Sequence, residues 1–204
     1  MALPIPRFSY DDLRARANSL LQTHNPAGHI PIPIEEIVEF GFGINIIPIP
    51  GLLTVHEVDA FTAKDLRSIM VDLSTVESRS PNRYRFSLAH ELGHVVLHAD
   101  VYAQIEFLSI REWKQVVMSL PEKDREWLEW QAYSFAGLIL VPREPLMERL
   151  ADAVRIASEQ GFDVVENHEP AKDYVCTWLG RQFEVSSQVV EKRLDKDGLW
   201  PPHI

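Results

Sequence analysis

The chain has 204 residues, 20 Lys and Arg against 30 Asp and Glu, and a formal net charge of −10. This length fits one domain, or one domain with a small appendage. A content of 46% hydrophobic and 25% charged residues excludes a disordered or collagen-like chain, and the single cysteine, Cys176, excludes an internal disulfide scaffold. The acidic balance also opposes non-specific nucleic-acid binding, which needs surplus Lys and Arg against phosphate. It is uneven: residues 1–60 carry −4, 61–99 carry +1, 100–130 carry −3, 131–170 carry −4 and 171–204 carry zero.

The N-terminus, MALPIPRFSY, has two prolines in its first six residues and lacks the apolar run of a secretion signal. The longest apolar runs, such as FAGLILVP at 135–142, are far shorter than the ~20 residues of a membrane span. The expected compartment is the cytoplasm, with no membrane association.

A first helix begins at Ser9, where Ser9 and Asp12 form a capping pattern and Leu13, Ala17, Leu20 and Leu21 recur at helical spacing. A break at 25–33 leads to a short helix over 33–40, ended by the glycines of 41–43. Three segments read as strands: 44–50, LLTVHEV at 52–58 and SIMVDLS at 68–74. From Pro81 onward the pattern is helical. Helices are expected over 82–98 and over 121–140, with Pro121 in the first turn. The connection 99–120 between them holds a short helix near 110–118. Pro142 and Pro145 break the chain before a helix over 145–160, and short helices follow over 171–182 and 186–196. The fold class is α+β, mainly helical, with a small sheet of about three strands.

The helix over 82–98 contains His90, Glu91, Leu92, Gly93 and His94. Residues four apart share a helix face, so both imidazoles can converge on one Zn²⁺ at about 2.0–2.1 Å. The glutamate beside the first histidine can take a proton from a water activated there and pass it to a leaving amine. A shuffled chain of this composition would show H-E-x-x-H only ~0.03 times. Leu88, Leu92, Val95 and Val96 give the helix an apolar anchor. A strand-like segment lies upstream, suited to pairing with an extended peptide. The helix that follows offers a carboxylate as third ligand.

Two motifs, R-x-R-F-S-L-A-H-E-L-G-H-x-x-L-H at 83–98 and E-x-x-A-x-x-F-A-x-x-x-x-x-P at 129–142, resemble those of the ImmA/IrrE family of metallo-endopeptidases. The G-x-x-I at 41–44 and F-E-V-S-x-x-x-V-x-x-R-L at 183–194 extend the resemblance over most of the chain. The resemblance implies a zincin-like peptidase domain over 1–142 and a helix-turn-helix-like helical part over 143–204. It implies His90, His94 and Glu129 as zinc ligands and Glu91 as general base. Its implied substrate is a helix-turn-helix transcriptional repressor, whose cleavage would switch on a stress response or a mobile-element programme. Glu126 and Glu122 compete with Glu129 as ligand, although their places near the helix start suit the helix dipole.

The chain departs from the family at Tyr133, where Asp or Asn often stands to orient a ligand histidine. Tyr133 can serve through its hydroxyl or merely pack, and His98, one turn beyond His94, has a structural role as its first reading. Both are candidates for stabilising the transition state. Histidines 24, 29, 56, 168 and 203 show no ligand spacing, and Cys176 sits in an apolar row. In the C-terminal helices Lys192, Arg193 and Lys196 are interleaved with Glu191, Asp195 and Asp197. This favours a helical support over a DNA reader, which concentrates positive charge on one face. The connection 99–120 either roofs the cleft or packs. Arg79, Arg83 and Arg85 are expected to leave the approach to the catalytic helix open to an acidic substrate segment. The rival functions are a non-proteolytic regulator that binds a partner and a DNA-binding regulator.

Overall fold

The computed structural model describes residue 3 and residues 5–78, 81–164 and 168–202. Arg79 and His203 fall outside these residues, as does the side chain of His168. Helix α1 (Tyr10–His24) opens on the expected capping box. Ser9 N–H donates to Asp12 Oδ2 at 2.9 Å, and Asp12 N–H donates back to Ser9 Oγ at 3.2 Å. Its apolar stripe, Leu13, Ala17, Leu20 and Leu21, is buried. Helix α2 (Ile34–Glu36) runs into a π-helical turn, Ile37–Gly41. Strand β1 (Asn45–Ile49) follows.

The segment read as a strand over 52–58 is instead a helix, α3 (Leu52–His56). Two features outside its own propensities decide this. Gly51, at φ 76°, turns the chain in the left-handed region open to glycine. Asp72, distant in sequence, accepts the Leu53 N–H at 2.8 Å and the Ser74 N–H at 2.9 Å, so one buried carboxylate ties two helix starts together. These hydrogen bonds, led by that from Leu53, hold the Asp72 carboxyl below the usual range.

The displaced strand is β2 (Ala60–Thr62), which is fully buried, followed by β3 (Ser68–Asp72) and α4 (Leu73–Val76). The sheet has three strands in the order β1-β3-β2. β1 runs parallel to β3, pairing Asn45 with Ser68 and Ile49 with Asp72. β2 runs antiparallel to β3, pairing Ala60 with Val71 and Thr62 with Ile69.

Helix α5 (Pro81–Leu97) carries the histidines. The connection after it holds α6 (Ala99–Tyr102) and α7 (Ile110–Ser119). Helix α8 (Glu122–Leu140) starts with Pro121 just outside its first turn. Pro142 ends the preceding segment, but Pro145 does not break the chain. It lies in the first turn of α9 (Arg143–Glu159), where a proline's missing N–H costs no helical bond. Pro170 is placed likewise in α10 (His168–Phe183), which a tight turn at Glu184 and Val185 joins to α11 (Ser187–Lys196). A methyl at Gly180 would meet Val185 O at 2.9 Å, so only glycine permits this turn to close.

One core runs from Leu13 and Ala17 through Ile69, Leu88, Phe135 and Leu146 to Val175, Phe183 and Leu194. Cys176 lies within it, as its apolar neighbours suggest. The C-terminal helices are further tied down by a buried ion cluster. The Asp197 carboxylate receives Arg193 at 2.9 Å, Arg14 at 3.0 Å and Arg143 at 3.2 Å. Arg193 also donates from Nε to Val141 O at 3.1 Å, closing the C-terminus of α8, and from Nη1 to the Tyr10 hydroxyl. None of the helices among the described residues is long and apolar enough to cross a membrane.

Candidate active site

The close approach of α5 and α8 builds the site. A methyl at Gly93 would lie 3.2 Å from Ala132 Cα and 3.3 Å from Ala132 O. The small residues of the two motifs therefore let the backbones touch, and Glu129 on α8 faces the histidines of α5. His90 Nε2 and His94 Nε2 are 3.1 Å apart, and Glu129 oxygens lie 3.3 Å from His90 Nε2 and 3.8 Å from His94 Nε2. Ligand atoms of a tetrahedral zinc with bonds of about 2.0–2.1 Å are separated by roughly 3.3 Å, so this donor set fits such an ion. These three residues form a group able to hold a metal. The competitors, Glu122 and Glu126, are exposed.

The electrostatics suit a cation. Burial raises the Glu129 carboxyl, but the His90 hydrogen bond and the charges of His94 and His90 outweigh it and hold the group at about 2. Burial, reinforced by His90, holds the His94 imidazole well below the ordinary range, leaving it neutral for ligation. At His90 burial acts in the same sense, yet the Glu129 hydrogen bond and the Glu91 charge leave its pKa raised.

Glu91 is buried beside the histidines, and burial raises its carboxyl above the ordinary carboxylate value. Its Oε2 accepts a hydrogen bond from Thr62 Oγ1 at 2.7 Å. Thr62 has no sequence signal: it belongs to the three-residue strand that the sequence reading placed outside any element. Its hydroxyl fixes the carboxylate from the sheet's edge strand. The Thr62→Val protein is expected to lose about tenfold in turnover, as removing a supporting hydrogen bond commonly does. Thr62→Ser should restore the rate, and equal rates for all three proteins would contradict this role.

The structure places the two candidate supporting residues differently from each other. His98 is not the end of α5 but the N-cap residue of α6, 1% exposed, with its Nδ1 at 3.0 Å from His94 Nδ1. It therefore stands behind His94 and has no access to substrate. Tyr133 lines the cleft but makes no hydrogen bond to His90. Its ring lies 4.4 Å from the His90 ring and 5.8 Å from Phe86, so it packs. His90 Nδ1 is buried with no hydrogen-bond partner among the described residues.

These groups open onto a cleft of about 1180 Å³ that also reaches Asp59 and Ala60 at the sheet's edge, and Trp113 of α7. The Trp113 ring packs on Phe61 at 5.6 Å, and Lys114 Nζ donates to His56 O. The 99–120 connection thus both packs and contributes to the wall. Arg83 lines the cleft but is paired with Asp59 at 2.7 Å. Arg85 does not serve the approach: its guanidinium donates to Ile32 O at 2.8 Å and to Glu184 O at 3.3 Å. A mostly buried guanidinium held by backbone carbonyls and by the Glu184 carboxylate at 3.5 Å is a fold element, which the positive charge of residues 61–99 does not reveal.

A mainly helical fold with a small sheet, and an H-E-x-x-H helix crossing a second helix that supplies a carboxylate, defines the metallopeptidase-like class. Residues 42–195 match the Peptidase M78 family model, described as an IrrE N-terminal-like domain, and the chain belongs to that family. No curated protein matches the chain. Among solved structures, a Mycobacterium tuberculosis transcriptional regulator is similar in fold, with a TM-score of 0.54 and 19% identity. That match covers 91% of this chain and 46% of the regulator, so the chain spans less than half of its length.

Proposed function

We propose that the protein is a zinc-dependent endopeptidase acting on a protein substrate, a helix-turn-helix transcriptional repressor. The observation that carries this reading is the convergence of His90, His94 and Glu129 beside the buried carboxylate of Glu91, on an open cleft. Zinc held by those three residues would supply Lewis acidity toward a carbonyl oxygen and lower the pKa of a water in the site. Glu91 takes a proton from the attacking water as its oxygen adds to the scissile carbonyl carbon. Glu91 then delivers that proton to the amine as the C–N bond breaks. Thr62 holds Glu91 in place, and edge strand β2 offers backbone groups for an extended substrate.

The second reading, a regulator that binds a partner without cleaving it, draws on Tyr133. With no hydrogen-bond partner for His90 Nδ1 among the described residues, the ligand histidine lacks a support that commonly strengthens metal binding. Incubating the zinc-loaded protein with a repressor encoded beside its gene, and again after chelation, separates the two. Fragments that appear with zinc, disappear on chelation and return on zinc addition are the expected result. An intact repressor that nonetheless binds the protein would favour the second reading.

A further inference from the structure

The charges of α11 are not mixed in three dimensions as they are in sequence. Residues four apart share a helix face. Glu191 and Asp195 share one face, where Lys172 of α10 meets both, at 3.4 and 2.8 Å. Arg193 points into the core and is consumed by Asp197 and Val141 O. Gln188, Lys192 and Lys196 share another face, are exposed, and line the same cleft as His90, Glu91 and Glu129. The zero charge of the C-terminal part therefore combines an acidic face that Lys172 only partly neutralises with a basic face that has no ion-pair partner among the described residues.

We infer that Gln188, Lys192 and Lys196 form the distal end of the substrate site and take an acidic side chain of an extended peptide lying in the cleft. The inference rests on the peptidase reading of this cleft and adds a substrate preference to it. The two lysines have no ion-pair partner among the described residues, so an incoming carboxylate is not competing with an internal one. Asp195 also lines this end of the cleft, but it is held by Lys172. The buried Asp197 is enclosed by arginines. Of the cleft's other charged groups, Asp59 and Arg83 neutralise each other near the sheet edge, where the exposed Glu57 adds a negative charge. The α11 end is thus where net positive charge faces the bound chain. A peptide fits this place better than duplex DNA. A major-groove helix must project from the surface, whereas this face of α11 forms one wall of a concavity. The rigid Arg193–Asp197 anchor fixes that wall relative to α8.

The test uses the full chain, zinc-loaded and carrying Glu91→Gln so that binding is read without turnover. Its probes are a short labelled peptide rich in glutamate, its glutamine counterpart, and a labelled DNA duplex. The glutamate peptide should bind about tenfold more tightly than the glutamine peptide, with the preference falling as salt is added. Lys192→Glu combined with Lys196→Glu should abolish or reverse that preference, with the melting temperature unchanged as a control on folding. Equal binding of both peptides, or a preference untouched by the double substitution, overturns the inference. Tighter binding of the duplex through the same lysines also overturns it, in favour of a nucleic-acid surface. A parallel digest of a random peptide mixture by the protein with Glu91 intact distinguishes the underlying reading. Absence of any cleavage, with the acidic preference retained, would refute the peptidase while leaving the acidic-peptide site standing.

Discussion

The Glu91→Gln protein is expected to retain its metal and lose roughly a thousandfold in turnover. Glutamine has nearly the size of glutamate, and its amide oxygen can still accept the Thr62 hydroxyl now found at 2.7 Å from Oε2. The three side chains able to hold a metal, His90, His94 and Glu129, are untouched. What is lost is the capacity to accept a proton, because an amide does not protonate near neutral pH. General acid–base groups contribute about 10²–10⁴-fold, and a thousandfold loss is the middle of that range. Single-turnover cleavage of the repressor, with zinc content measured on the same sample, checks this. A variant that kept its zinc and cut within a few-fold of the unmodified protein would remove Glu91 from the chemistry.

Asp197→Ala is expected to cost about 3–5 kcal/mol of folding stability, the range for removing one member of a buried ion pair. The Asp197 side chain is fully buried and Arg193 is 3% exposed, so water replaces the lost carboxylate only in part, at the partly exposed Arg14 and Arg143. Three guanidiniums, those of Arg14, Arg143 and Arg193, would face one another without their shared anion. Domains are stable by only about 5–15 kcal/mol, so the loss is a large share of the total. Urea denaturation of the two proteins measures it, and a difference under about 1 kcal/mol would show that the cluster is not holding the C-terminal helices. Asp197→Asn should fall between the two, since it keeps an acceptor while discarding the charge.

Interactions close along the chain were legible in the sequence. The Ser9–Asp12 cap, the apolar stripe of α1 and the pairing of His90 with His94 all follow from helical geometry, which fixes what residues three or four apart can do. The helix carrying the third carboxylate could be named for the same reason. Choosing Glu129 over Glu126 or Glu122 needed the resemblance to the family. In the structure the choice follows from where α8 crosses α5 at Gly93 and Ala132.

Where the reading failed, a distant residue had overridden a local tendency. LLTVHEV has the composition of a strand, yet Gly51 turns it and Asp72 caps it as a helix. That moved the edge strand to Ala60–Thr62 and brought Thr62 to Glu91. Pro145 reads as a breaker unless one knows that a helix begins just before it. For His98 and Tyr133 the sequence already allows a structural or packing role, and tertiary packing decides between the alternatives. Burial placed the first behind His94, and ring packing placed the second at the cleft wall.

The opening charge balance shows the same division. By itself the sequence determined the acidic total, the neutral C-terminal part and the helical spacing of the H-E-x-x-H pair, because each is a sum or a short-range periodicity. Only the tertiary structure decided which charges remain available. Lys172 pairs with both Glu191 and Asp195 from another helix, Asp197 gathers three arginines, and Arg85 is spent on Ile32 O and on the carbonyl and carboxylate of Glu184. Lys192 and Lys196 are left facing the cleft. Electrostatic pairing depends on distance in space, and for these residues that distance is set by helix packing rather than by position along the chain.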